Sequence, residues 1–282
     1  MKTTAASPRR RRRSSRTGWR RSLCCGVLLA AVLCAPGLAQ GAGIASFGSA
    51  GLPPAQWALI VNGDDSFTHN RNVEIALSSL ARLGYPAANT FLLSANPRPP
   101  EGGGAVLRAA SRRALSDTLA ALRARMHPGD LLLIYLTGHG IRFFGHAVLE
   151  LESASIGAGA LAHDVSALPF DQLIVVADQC YSGAFVKAFV ELGRNVVAVS
   201  SADERHEVRC EPFVRPFWAA ATAANAAAGG REAGGGGVSV EAAFKVGAES
   251  LAAGPGHGSG AQYAASGSCK GRANLFSALP RR

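Results

Sequence analysis

The sequence predicts an α/β protein built as a three-layer α/β/α sandwich around a mostly parallel sheet. Three observations predict it. Apolar runs at 57–63, 89–94, 131–136, 172–178 and 195–201 are continuous rather than alternating, which marks strands covered on both faces. Stretches of helical period separate most of these runs. Two of the runs, "LLLIYLTGHG" (131–140) and "QLIVVADQCYSG" (172–183), stop abruptly on reactive residues. Open parallel sheets deliver functional groups at such carboxyl ends of strands.

The elements follow in order. Residues 42–56 are rich in Gly, Ala and Pro and read as a flexible lead-in. "WALIVNG" (57–63) is the first buried strand. Apolar residues at 73, 76, 77, 80 and 83 have helical spacing, and Gly84 stops that helix. "NTFLLS" (89–94) is the second strand and 95–104 a loop. Apolar positions 106, 110, 115, 119, 122 and 126 predict one helix from Ala105 to Met126, broken by Pro128-Gly129. Residues 131–136 form the third strand, 146–153 a short hairpin arm and 172–178 the fourth long strand. A helix over 184–192 ends at Gly193, and 195–201 is the fifth strand. Beyond Arg209 the expectation is an Ala-rich helix, a Gly-rich loop at 229–237, a helix over 238–252 and a Gly/Ser tail. No internal repeat is present. The Gly-rich loop lacks a Lys-Ser/Thr pair and follows no strand, so it cradles no phosphate, and no cofactor is expected.

Charge and cysteines bound the setting. The net charge of +10 resembles a nucleic-acid signal, but nine positive charges and no acid fall within residues 1–41. The rest of the chain is close to neutral, so no nucleic-acid partner is expected. Residues 1–41 have the design of a signal peptide: a basic start, a twelve-residue apolar run from Leu23 to Cys34, then small residues where cleavage near 39–42 fits. The apolar run is shorter than the ~20 residues of a membrane span. Arg20-Arg21 before it also fits a twin-arginine signal, and Leu33 before Cys34 departs from a lipobox. The body, 57–282, is then one exported domain, periplasmic or secreted, and it meets a membrane only if the segment stays uncleaved as an anchor. After cleavage Cys180, Cys210 and Cys269 remain. Cys210 and Cys269 lie in polar, loop-like contexts and are the candidate disulfide, should one form.

The chemistry gathers at two strand ends. Strands 131–136 and 172–177 can be neighbours, which brings His139 and Cys180 to one edge. A His near a Cys is the minimum equipment of a thiol nucleophile, because the imidazole accepts or stabilises the departing proton. A helix starting near Gly183 would further favour the thiolate. Gly138 and Gly140 let the backbone approach a substrate, and the Gly140 and Cys180 N–H groups are the candidate oxyanion donors. His146 and His163 have no carboxylate or Cys partner at metal-ligand spacing, so no metal is expected.

These motifs resemble the caspase/legumain/gingipain clan of cysteine peptidases. The clan has a strand ending in His-Gly, then a later strand ending in acid-x-Cys and small residues. The order and the 41-residue separation of His139 and Cys180 agree with it. "ALIVNGDDSFTHNRNVEIALSSLARLG" and "VVAVSSADERHEVRCE" (196–211) resemble the first strand-helix unit and post-nucleophile strand of legumain-type peptidases, including bacterial members. The likeness covers roughly 57–225. It implies a caspase-like fold, Cys180 as nucleophile and His139 as acid/base, acting on a protein or peptide substrate. It implies a specificity pocket from Arg71, Asp178, and Ser200 or Ser201. Arg71 facing Asp178 suits Asn or Asp before the scissile bond; Asp178 alone suits Arg or Lys. His69 stands where legumains place the Asn that steadies the catalytic His, which leaves the third group unassigned. Two other readings share these residues: a binding or scaffold protein with a weakened site, and a transamidase-type cysteine acyltransferase.

Overall fold

The computed structural model describes residues 54–96, 98, 104–208, 211–227, 239–254 and 260–267. The signal segment 1–41, the Gly-rich loop 229–237, and both Cys210 and Cys269 lie outside the described residues. Among the described residues no helix is long and apolar enough to cross a membrane.

A seven-stranded sheet forms the middle layer. Its strands are β1 (Gln56–Asn62), β2 (Thr90–Ser94), β3 (Val106–Ala109), β4 (Asp130–Thr137), β8 (Phe170–Asp178), β9 (Val196–Ser200) and β10 (Gln262–Ser266), in the order β10-β9-β8-β4-β1-β2-β3. Every pairing is parallel except that of β10 with β9. A side sheet of β5 (Gly140–Phe143), β6 (His146–Glu150) and β7 (Ser155–Gly157) follows β4 directly. Its first turn carries Phe144 at φ 48° and Gly145 at φ 84°. Two successive left-handed residues suit the twist of a two-residue hairpin.

Two cores explain the continuous apolar strands. Leu132, Ile134 and Leu136 of β4 point to one face, where α2 (Arg112–Arg125), α3 (Ala158–Ser166) and α4 (Gly183–Val190) cover them. Leu131, Leu133 and Tyr135 point to the other, beneath α1 (Phe67–Arg82), α5 (Glu211–Ala227) and α6 (Val240–Ala252). Alternate residues of each strand therefore feed different cores, and both sets must be apolar. Burying a side chain such as Leu133 or Val176 contributes about 1.5–3 kcal/mol, and dozens of such residues define the three layers. At the amino end of the sheet, buried Asp130 accepts hydrogen bonds from Ala55 N–H (2.7 Å), Trp57 Nε1–H (2.8 Å) and His127 N–H (2.9 Å). These bonds fasten the start of β1 to that of β4.

Helix α3 and strands β5 and β7 have no counterpart in the expected order, and three further segments depart from expectation. The helix expected from Ala105 begins only at Arg112, and Val106–Ala109 is instead the edge strand β3, with Leu107 opposite Leu92. Ser111 decides the boundary by accepting a hydrogen bond from Ala114 N–H at 3.2 Å. The first helix starts at Phe67, more than a full turn before its apolar period begins at Val73. Its early turns bear polar residues because they border the site rather than the core. Finally, the Gly/Ser tail contains β10, a short half-buried antiparallel edge strand, QYAAS, whose small and mixed residues give no strong strand signal.

Candidate active site

The pairing of β4 with β8 builds the site. Thr137 lies opposite Asp178, so His139 and Cys180 each follow by two residues at the same edge. The chain between them is packed tightly. Gly138 has φ 126°, a conformation that favours glycine. A Cβ placed on Gly140 would collide with the Cys180 carbonyl oxygen and lie 3.0 Å from the Cys180 nitrogen. Only glycine permits that approach, and it brings the two expected oxyanion donors into one neighbourhood.

His139 is largely exposed, and its Nε2 faces Asp64 Oδ2 at 3.7 Å. Asp64 sits in the turn after β1. Its N–H donates to Asn62 Oδ1 (3.2 Å), while Gly63 N–H donates to the Thr137 carbonyl (3.1 Å). His69, in the first turn of α1, is buried and meets Thr137 Oγ1 through Nδ1 at 3.0 Å. Its Nε2 lies 3.8 Å from the same Asp64 oxygen. Burial, against the pull of the Asp64 charge, holds the His69 pKa below its ordinary value. Burial acts to raise the Asp64 pKa, but Ser66 hydrogen bonds and the two imidazoles outweigh it and leave the carboxyl below its usual range.

Cys180 is a free, half-buried thiol. Its hydrogen-bond partners among the described residues are both backbone atoms of Val208: the S–H donates to the carbonyl (3.6 Å), and the N–H donates to sulfur (3.4 Å). His139 is not one of them. Burial pushes the thiol pKa up, and the negative charges of Glu207 and Asp178 add to the rise. The expected lowering by the imidazole and by the helix start at Gly183 is therefore not what the resting site shows; desolvation wins. Tyr181 follows with φ 60°, an uncommon conformation for a non-glycine residue that turns the chain sharply after Cys180. Its N–H donates to the His206 carbonyl (3.0 Å) and its hydroxyl to Glu207 Oε1 (3.0 Å). Residues 203–208 thus form a strap across the Cys180 turn. Asp203 stiffens the strap by accepting hydrogen bonds from Arg205 N–H and His206 N–H, with His206 Nδ1 at 2.7 Å from its other oxygen.

The expected specificity residues are only partly brought together. Asp178 is fully buried, and it accepts from Asn72 Nδ2 (3.3 Å) and the Tyr135 hydroxyl (3.2 Å). Arg71 does not face it. On α1 the buried position is Asn72, and Arg71 is exposed one residue earlier, rotated away by the ~100° step of the helix. Ser200 and Ser201 are both fully buried below the site. The Ser200 hydroxyl donates to the Ala202 carbonyl at 2.7 Å. Neither the Ser201 hydroxyl nor the side-chain amide of buried Gln179 has a hydrogen-bond partner among the described residues. His146 and His163 are exposed, and the described residues contain no cluster of metal-ligating side chains.

No protein-family model matches the sequence, and no curated protein matches it. Among solved structures the chain is similar to protein GSU0716 from Geobacter sulfurreducens, with a TM-score of 0.52 at 12% sequence identity. The likeness covers 81% of this chain and 98% of that one. At this identity it speaks for the fold, a three-layer α/β/α arrangement, and for nothing finer.

The sequence reading missed Asp64, Asn72 and Val208. Asn72 borders Arg71 and Asp64 lies five residues before His69, and "GDDSFTHNRN" carries the signal as a polar run between a buried strand and an apolar helix. Val208 acts through its backbone, which leaves no mark on residue type.

Proposed function

We propose that the protein is an exported cysteine endopeptidase with a caspase/legumain-like site, using Cys180 as nucleophile and His139 as general acid/base. One observation supports this most: the Thr137–Asp178 register sets the two reactive residues side by side at the carboxyl edge of adjacent strands, with Gly140 against the Cys180 peptide. In the first step Cys180 sulfur bonds to the scissile carbonyl carbon and its proton passes to His139. The Gly140 and Cys180 N–H groups hold the resulting oxyanion, each donor worth about 3–4 kcal/mol. Collapse breaks the C–N bond as His139 returns the proton to the leaving amine, and a thioester remains. Water then attacks the thioester, gives a proton to His139, and the thiol departs with that proton restored. His139 Nε2 is turned to Asp64, so Nδ1 is the nitrogen left for these transfers.

Two residue preferences were open. Asp178 lies with Asn72 and Tyr135 and without Arg71, so the Arg71–Asp178 pair that an Asn or Asp preference requires is absent; an Arg or Lys preference requires in turn that substrate binding uncover this fully buried carboxylate. The deciding experiment incubates the full chain with peptides carrying each of these four residues. Cleavage after Arg or Lys is expected, with a loss of at least about a thousandfold in Cys180→Ala. Equal cleavage by Cys180→Ala would refute the peptidase reading. The Val208 clasp on sulfur favours one other reading, a caspase-like binding protein, which predicts a folded chain without turnover on any peptide.

A further inference from the structure

Asp64 Oδ2 is placed unusually for a buried carboxylate oxygen. It takes part in no hydrogen bond among the described residues, yet two imidazole nitrogens face it, His139 Nε2 at 3.7 Å and His69 Nε2 at 3.8 Å. The two rings stand edge to face, with centroids 5.6 Å apart and planes at 77°. They differ in surroundings. His69 is 7% exposed and its other nitrogen is engaged by Thr137, whereas the His139 side chain is 63% exposed.

We infer that Asp64 is a single positioning carboxylate shared by the two imidazoles, with His69 as its neutral partner and His139 as the ring it serves in proton transfer. Burial disfavours a charged His69, and in the proposed arrangement Nδ1 accepts from the Thr137 hydroxyl, which leaves the ring proton on Nε2, toward Asp64. That neutral N–H takes part of the carboxylate's field. What remains orients His139 Nε2 and stabilises the imidazolium, the form that must protonate a leaving amine. The charged and titratable groups around His139 are Asp64 and His69 on the β1–α1 side, Cys180 beyond β8, Arg142 three residues on in β5, and Glu150 at the end of β6, whose N–H donates to the His139 carbonyl. Among the described residues only Asp64 opposes an imidazolium there with a carboxylate at short range. His69 thereby sets how strongly Asp64 acts on His139, a role that a lone orienting group would not provide.

The catalytic consequence rests on the peptidase reading, but the shared contact does not, and the test separates them. Histidine-ring 15N NMR of the full chain, with the His139 and His69 signals assigned from H139Q and H69Q, reports the tautomer of each neutral ring and needs no substrate. Asp64→Asn is expected to shift the neutral His139 ring away from the tautomer that carries its proton on Nε2, by about threefold to tenfold in the tautomer ratio. His69→Gln is expected to shift that ratio further toward the Nε2–H tautomer, since the carboxylate then attends to one ring. The signal of distant His163 should stay in place in both variants, reporting an intact fold. A His139 tautomer ratio unmoved by Asp64→Asn, or moved away from Nε2–H by His69→Gln, would overturn the proposal, and each variant tests it independently. If the parent cleaves no peptide while both shifts appear, the peptidase reading falls and this one stands. If the parent cleaves peptides and neither shift appears, the reverse holds.

Discussion

Gly140 shows how one missing methyl group sets the geometry of the site. The Cys180 backbone occupies the space where its Cβ would be, so any side chain must push the two strand ends apart. The obstructing atoms are not a flexible side-chain tip; they are main chain, held by β4–β8 pairing. Gly140→Ala is expected to cost about 1–3 kcal/mol of stability, as overpacked sites do. It should also reduce peptide cleavage more than a matched loss of stability at a distant site such as Ala162. Denaturant unfolding and turnover measured on the same preparation check both. A variant with unchanged stability and turnover would mean that the strand ends are looser than their packing indicates. His69 matters here too, because its burial keeps it uncharged against the pull of Asp64.

Among the elements, the strap over Cys180 controls access to sulfur. Its hold consists of the Val208 backbone on sulfur, His206 carbonyl on Tyr181 N–H, and Glu207 on the Tyr181 hydroxyl. Two further bonds between Ser182 Oγ and the Ala202 backbone, at 3.1 and 3.4 Å, root the strap beside the Cys180 turn. In the proposed reaction a substrate carbonyl must reach the sulfur that Val208 now covers. Tyr181→Phe removes one exposed hydrogen bond from the strap. Iodoacetamide alkylation of Cys180 should therefore speed up by about twofold to tenfold while the fold is kept. In the parent, alkylation should be slower at neutral pH than that of an unhindered thiol and should rise steeply in the alkaline range, because burial raises the thiol pKa. An unchanged rate in Tyr181→Phe would show that the strap does not gate the thiol.

Across the protein as a body, buried ionisable groups at the site couple stability to pH. His69 has a folded pKa below its unfolded value of about 6.5. Between those two values the unfolded chain binds more protons, so stability is complete above about pH 6.5 and declines as pH falls through that window. Asp64 is also depressed, and its contribution is lost at still lower pH, below the ordinary carboxylate value. His69→Gln should flatten the dependence of stability on pH in the mildly acidic range, leaving the more acidic limb in place. Chemical denaturation at a series of pH values tests this; an undiminished slope just below about pH 6.5 would assign the proton uptake elsewhere.

Local pattern was enough to specify the layers of the protein and the two reactive strand ends. Leu131 to Leu136 and Leu173 to Ala177 are apolar at every position, which only a strand covered on both faces requires, and each run stops at a residue with chemistry. Such patterns lie within a few consecutive residues, so one-dimensional reading finds them. Other features came from packing between distant segments. Val106–Ala109 is a strand because Phe91 and Leu92 offer an open edge, although its apolar period also fits a helix. Asn72 rather than Arg71 meets Asp178 because helix phase is set by packing against the sheet. The short turn from Asp64 to His69 supplies two residues that converge on His139 from across the β1–β4 pair. Convergence of that kind depends on strand register and helix rotation, long-range quantities that residue type and spacing do not encode.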